Sequence, residues 1–412
     1  MTATIGGPDQ VLDAADVGDF IGSQFGDLDL DGRSLCLVIP DATRTCPLPL
    51  LLGAVENAVQ GRVRSCCAVV ALGTHAPMSE EARQSLVGAT PLRVLNHAWW
   101  DQATFVPVGT LGANTVSLLS EGALHEPVDV RINRIVLESD VTVMIGPVLP
   151  HEVVGFSGGN KYLFPGLSGP EMIDVTHWLG ALITSRAIIG RRGTTPVRAL
   201  IDAAANLVPG ERHALCAVTD YQSGALHALS FGTPEQAWAA AADITAVTHI
   251  EYLPAPVPRV LSLVPLRYAD LWTGAKGFYK VEPVVADGGE VVLYAPHITE
   301  VAAMHPAQAA LGYHCRDYFL AHWDAYRDHP RGELAHATHL YGAGTYDDVH
   351  GERQRVRVTL ATGIPEEVVT RANLHYLDPS AVDVARWSSD PDALVVEDAG
   401  EVLYRLADER PR

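Results

Sequence analysis

The sequence predicts two α/β domains with largely parallel sheets and an active site in the interdomain cleft. Three observations carry that expectation. The apolar runs Leu35–Pro40, Cys67–Leu72 and Val141–Gly146 are continuous, as in strands buried on both faces of a parallel sheet. Each run ends in a polar cluster, at Asp41–Arg44, Gly73–His75 and Pro147–His151. A proline-rich stretch, Pro254–Pro258, separates two regions of strand–helix alternation and reads as a linker.

The elements follow in order. Helical patterns cover Leu50–Val59, Ser79–Leu86 and Gly169–Thr184, with Ser79 an N-cap ahead of acidic Glu80 and Glu81. Beyond the linker come strand Val260–Leu266, helix Asp270–Lys280, strands Glu290–Ala295 and Arg355–Thr362, and helix Glu366–Asn373. The acidic tail Asp390–Asp408 reads as a terminal hairpin. The expected division is therefore 1–253 as a cofactor-binding and catalytic domain and 259–381 as a second α/β domain, with the tail 382–412 returning to the first.

Composition bounds the function. The chain has 412 residues, 48% hydrophobic and only 19% charged, which suits folded domains with real cores. A formal charge of −20 offers no basic field to attract nucleic acid or an anionic membrane surface. A small anionic substrate stays compatible, because one placed arginine outweighs a distant net charge. No apolar run reaches the length of a membrane span. The segment Met1–Pro8 lacks the basic and apolar regions of a signal peptide. Cys36, Cys46, Cys66, Cys67, Cys216 and Cys315 follow no repeating spacing and read as reduced thiols of a cytoplasmic protein. Nothing in the composition argues against a homo-oligomer.

The stretch His151–His177 is the most informative. It holds His151, a loop Gly155-Phe-Ser157-Gly158-Gly159-Asn-Lys161, then Pro165-Gly166 and His177. Glycines let backbone approach a ligand, and successive N–H groups can cradle a phosphate. Lys161 can neutralise such a phosphate or become a covalent attachment point, and imidazoles bind metals or move protons. A phosphorylated, metal-bearing cofactor is the expectation. The loop is not a nucleotide-triphosphatase motif, since Lys161 is followed by Tyr162 and the spacing is wrong. The plainer reading is a tight glycine turn with a solvated lysine.

The other clusters carry their own alternatives. Arg44 suits bidentate capture of a carboxylate, or a structural pair with Asp41 that fixes a turn. His75 is a candidate acid–base group, or a loop histidine packed beside a helix start. His177 lies next to Trp178, where a packed core histidine is the commoner fate. Lys276 sits on the second-domain helix between Gly274 and Gly277, whose helix-interior cost implies that something approaches that face closely. His336 and His339, near Tyr341–Gly344, are candidates to line the cleft.

Taken in order, these segments resemble the nickel-pincer-nucleotide-dependent lactate racemase family of 2-hydroxy-acid racemases and epimerases. The family pattern is Asp-x-Thr-Arg, then Gly-Thr-His, then a histidine ahead of Gly-Phe-Ser-Gly-Gly-x-Lys and Pro-Gly, a later histidine, and a lysine on the second-domain helix. Here these are Asp41, Thr43 and Arg44; Gly73, Thr74 and His75; His151; Gly155 to Lys161; Pro165 and Gly166; His177; and Lys276. The resemblance implies a nickel-pincer nucleotide, pyridinium-3,5-bisthiocarboxylic acid mononucleotide, joined covalently to Lys161. His177 would complete the nickel coordination, as imidazole suits Ni(II) beside soft donors. Ser157, Gly158 and Gly159, with Asp41 and Thr43, would hold the cofactor. His75 and His151 would serve as acid and base for opposite enantiomers while hydride leaves C2 and returns. Arg44 and Lys276 would anchor the substrate, beside Trp272 and Thr273. The partners implied are a small anionic 2-hydroxy acid and the cofactor-biosynthesis enzymes that load the protein.

Departures from the family pattern bear on substrate. Thr45 stands where the lactate racemases usually have proline, and Trp272-Thr273 stand where Tyr-Gln is frequent. A larger or more polar acid, such as a sugar acid, is as consistent with these changes as lactate. Two other functions compete. One is a zinc hydrolase with His75, His151 and His177 as direct ligands, which lacks any zinc-protease spacing. The other is a non-catalytic cofactor carrier, which leaves His75 and His151 without purpose.

Overall fold

The computed structural model describes residues 2–410, which cluster into two compact units. The first comprises 2–149, 156–176 and 192–248, and the second 150–155, 177–191 and 249–410. The main division thus falls at 248/249, ahead of the proline-rich stretch. Two earlier segments, including the one bearing His151, cluster with the second unit.

The first unit is built on a seven-stranded sheet. Its strands are β1 (Ala3–Gly6), β2 (Ser34–Ile39), β3 (Ser65–Val70), β4 (Arg93–Asn96), β5 (Val141–Pro147), β6 (Glu211–Thr219) and β7 (Leu226–Gly232). The spatial order is β1-β7-β6-β5-β2-β3-β4. The run from β6 to β4 is parallel, and β1 and β7 add an antiparallel edge. Every residue of β2 and β5 is buried, which is why their sequences show no alternation.

Helices α1 (Ala14–Gly26), α2 (Leu48–Val59) and α3 (Glu80–Val87) belong to this unit. In α2 the buried residues Leu48, Leu51, Leu52, Val55 and Val59 form a helical stripe against the sheet core. Each fully buried leucine or valine contributes roughly 1.5–3 kcal/mol. Ser79 caps α3 through the Ala82 N–H, as its sequence predicts. The expected helix at 169–184 is α4 (Pro170–Ile183), followed by α5 (Pro196–Ala205) and α6 (Pro234–Thr248).

The second unit has a five-stranded, wholly parallel sheet: β8 (Val257–Leu263), β9 (Val285–Ala295), β10 (Arg357–Thr362), β11 (His375–Tyr376) and β12 (Ala393–Val396), ordered β11-β10-β9-β8-β12. The expected terminal hairpin does not form. Ala393–Val396 pairs in parallel with β8, and Leu403–Leu406 pairs in parallel with Ile250–Leu253. The tail therefore completes the second unit. Four-residue strands such as these cannot signal in sequence which edge they will join, because their partners lie more than a hundred residues away.

The expected helix 270–280 is two short helices, Leu271–Gly274 and Lys276–Tyr279, begun by Asp270 as N-cap. The neighbour implied by its glycines is the protein itself. A Cβ at Gly274 would lie 2.8 Å from Ile298 Cδ1, and one at Gly277 would lie 3.0 Å from Leu293 Cδ2. No helix among the described residues is long and apolar enough to cross a membrane.

Candidate functional site

In the first unit, adjacent strands β5, β2 and β3 bring their carboxyl ends together. Ligands of open parallel sheets bind beyond such ends. Asp41 follows β2 and is buried. Its Oδ1 accepts from the Thr43 N–H (3.0 Å) and the Thr43 hydroxyl (2.5 Å), while Oδ2 lies 2.5 Å from His75 Nδ1. A carboxylate only accepts, so His75 presents Nδ1–H to it and keeps the Nε2 lone pair for chemistry. Burial alone would raise the Asp41 pKa. The charge and hydrogen bond of His75 outweigh it, with help from Thr43 and the Arg44 charge, and hold the carboxyl well below the usual range.

The imidazole is fixed from behind as well. The His75 N–H donates to Leu72 O (2.9 Å), and the Trp99 indole N–H donates to His75 O (2.9 Å). The Gly73 N–H donates to Gly166 O (3.0 Å), tying this loop to the Pro165-Gly166 turn. Tyr162, next to Lys161, is surrounded by Cys46, Arg44, Cys216 and Asp41; burial first, then Cys46, pushes its phenol well up. Asp41, Thr43, Arg44, His75 and the Lys161 turn thus share one end of the sheet.

The glycine-rich loop is shaped by internal bonds. The Ser157 N–H donates to Leu149 O (2.8 Å), and the Ser157 hydroxyl accepts from the Leu149 N–H (3.0 Å). The Gly159 N–H is directed at the Cys216 thiol. Gly158 (φ +88°) and Gly159 (φ +59°) occupy left-handed backbone, and a Cβ on either would collide with Val148 or Trp238. The donors of Ser157 and Gly159 therefore hold the loop's own shape. Lys161 remains half-buried between fully buried neighbours, Asn160 and Leu163.

The second unit carries the remaining candidates. His151 is buried; its Nδ1 accepts from the Val153 N–H (3.1 Å) and lies 3.3 Å from Glu152 Oε2. The Lys280 ammonium donates to Pro150 O (2.7 Å) and so fixes the residue just before it. His177 is half-buried, whereas Trp178 beside it takes the core position and stacks on Trp323 at 5.5 Å. Lys276 is buried, contrary to the usual solvated lysine of a helix, with Nζ 4.6 Å from the Tyr268 ring centroid.

Trp272 is sandwiched between His305 (4.1 Å) and His336 (3.6 Å, interplanar angle 3°). Its carbonyl accepts from His336 Nε2–H (2.9 Å). The Thr273 hydroxyl, at 2.8 Å from Asp270 Oδ1, is engaged in the helix cap. Both His336 and His339 are buried, and burial lowers their pKa values, that of His336 strongly. Sequence reasoning missed Trp99, Tyr162, Lys280 and His305. Of these only Tyr162, by its place after Lys161, carried any signal.

The fold and the motifs have counterparts. Residues 21–190 match the lactate racemase N-terminal domain. The lactate racemase of Lactiplantibacillus plantarum is 26% identical over 153 residues, and that of Thermoanaerobacterium thermosaccharolyticum is 24% identical over 149. Each match covers 35% of this chain and 32% of the relative, so the chain spans about a third of the length of the curated relatives it matches. A protein from Thermotoga maritima superposes with a TM-score of 0.89 at 28% identity, over 98% of this chain and 100% of that one. The lactate racemase apoprotein from Thermoanaerobacterium thermosaccharolyticum superposes with a TM-score of 0.72 at 18% identity, over 96% and 93%, which shows the shared fold. Residues 21–190, which hold the Asp41–His75 and Lys161 motifs, are thus similar to the lactate racemase N-terminal domain.

Proposed function

We propose that this protein is a racemase or epimerase that inverts the C2 carbinol of a small anionic 2-hydroxy acid with a nickel-pincer nucleotide. The observation that carries the reading is the buried Asp41 carboxylate 2.5 Å from His75 Nδ1, an arrangement that prepares an imidazole to take a hydroxyl proton.

The residues fit the cofactor in two respects. Lys161 and His177 each keep partial exposure while their neighbours Asn160, Leu163, Thr176 and Trp178 are buried, so an amine and an imidazole stay reachable. Lys161 would hold the cofactor covalently and His177 would ligate its nickel; when bound, the group would supply a reversible hydride acceptor for C2. The phosphate role of Ser157, Gly158 and Gly159 has weaker support, because the Ser157 and Gly159 N–H groups already have internal partners.

The chain's own residues do the rest. His75 Nε2 takes the hydroxyl proton of one enantiomer, and Asp41 stabilises the imidazolium that results. His151 performs the same transfer for the other enantiomer. Arg44 and Lys276 hold the carboxylate and the oxo group, keeping the planar 2-oxo acid oriented while its reactive face changes. Trp272 has stacking partners on either side, which hold its ring in place.

The zinc-hydrolase alternative has no zinc-protease spacing in the sequence to support it, and it leaves the Lys161 loop without a role. The deciding experiment uses protein made alongside the pincer-biosynthesis enzymes and 2-hydroxy acids deuterated at C2, with lactate and a sugar acid in the panel. Interconversion with deuterium retained at C2 is the expected result. Rapid exchange of that hydrogen with solvent would replace hydride transfer by direct proton abstraction.

A further inference from the structure

We propose that Arg198 is the positioning residue of the glycine-rich loop, setting the backbone turn from which Lys161 projects. Arg198 lies on α5 and is 1% exposed. Its Nη2 donates to Phe156 O (2.5 Å) and its Nη1 to Gly158 O (3.0 Å). One rigid, planar cation thus grips two carbonyls of the same loop, and the fork geometry fixes the direction of both peptide planes.

Further contacts make the arrangement specific. The guanidinium lies 4.1 Å from the centroid of Trp238 on α6, and Trp238 Cβ lies 2.9 Å from where a Cβ of Gly159 would sit. The loop is pressed onto an Arg198–Trp238 platform that admits only glycine. The Gly158 carbonyl gripped by Arg198 also accepts the Lys161 N–H (3.3 Å), so the same oxygen joins the anchor to the lysine. Asn160 is tied down separately, donating to Asp202 (2.9 Å) and Glu235 (2.6 Å). Burial lowers the Arg198 pKa to about 10, against the opposing carboxylates of Asp202 and Glu235, so the group stays cationic at neutral pH. Enclosing a cation is costly unless its hydrogen bonds are worth the enclosure. Both of those bonds go to this loop.

The part of the test that reads cofactor attachment rests on the function proposed above; the part that reads loop order does not. Hydrogen exchange of the apoprotein, followed by peptide mass spectrometry, should show amides 156–161 exchanging at least about tenfold faster in Arg198→Met, with α1 unchanged. Loading of Lys161, read as adduct mass after exposure to the pincer-biosynthesis system, should fall at least about tenfold. Ile201→Ala, a cavity variant on the same helix, controls for general loss of stability and should load normally. Arg198→Lys keeps the cation without the fork and should be intermediate in both readouts, and it carries the test if Arg198→Met does not fold. Wild-type exchange rates at 156–161, or full loading of Arg198→Met, would overturn the proposal. If the wild-type protein itself takes no adduct, the cofactor reading fails, and the exchange rates alone decide the role of Arg198.

Discussion

The carboxylate of Asp41 and the Nδ1 of His75 lie 2.5 Å apart, although 34 residues separate them in sequence. They meet because β2 and β3 are parallel neighbours, so the loops that follow them emerge at the same end of the sheet. The pair fixes the tautomer of His75 and gives its imidazolium a buried counter-charge. Asp41→Asn removes the charge while keeping the shape. It should lower kcat on the order of 10²-fold or more in both directions of interconversion, with little change in the amount of Lys161 adduct. Unchanged turnover in a fully loaded variant would separate Asp41 from proton transfer.

Lys161→Ala should abolish covalent cofactor attachment, because only an amine at that position can form the link. Lys161→Arg should fail as well, since guanidinium stays protonated and is a poor nucleophile. Intact-protein mass spectrometry reads both; an undiminished adduct in either variant would move the attachment point elsewhere.

His177→Ala should leave the fold intact, because Trp178 and not His177 fills the core position. Its nickel content after dialysis against a chelator should drop several-fold relative to wild type. Equal retention would return His177 to a structural role.

Arg44→Lys should raise KM strongly for any active 2-hydroxy acid, because an ammonium cannot make a bidentate pair with the substrate carboxylate. It also leaves a positive charge near Asp41, so the Asp41–His75 pair should survive. A kcat/KM equal to wild type would remove Arg44 from the substrate site.

His97 provides a test of stability against pH. It is fully buried, its Nδ1 accepts from the Asn133 amide (3.1 Å), and burial lowers its pKa to about 4. The folded state therefore favours the neutral ring, whereas an unfolded histidine binds its proton near pH 6.5. The unfolded state carries the extra proton between about pH 6.5 and 4, so this stabilisation is complete above about 6.5 and drains away as pH falls. Its size is on the order of 3 kcal/mol. Thermal unfolding of wild type should lose more Tm between pH 7 and 5 than His97→Gln does, and parallel curves would refute the assignment.

Candidate clusters defined by residue type and short spacing are legible in the sequence. The Asp41–Arg44, Gly73–His75 and Gly155–Lys161 motifs each lie within a few residues. The apolar runs that became β2, β3 and β5 show buried parallel strands directly, because nothing on either face needs to be polar. Short-range signals also placed Ser79 as a cap and α4 within a residue of its observed ends.

What joins distant parts of the chain was decided only by the tertiary structure. No spacing relates Arg198 to Phe156 and Gly158, and a mid-helix arginine in sequence looks like a solvated one. Gly274 and Gly277 announced a close neighbour without saying that it was Ile298 and Leu293. The acidic tail read as a local hairpin, yet Leu403–Leu406 found its partner at Ile250–Leu253. Strand pairing and burial of a charge depend on surfaces assembled from segments far apart in sequence, about forty residues for Arg198 and more than a hundred for the tail strands, and such surfaces exist only once the chain has folded.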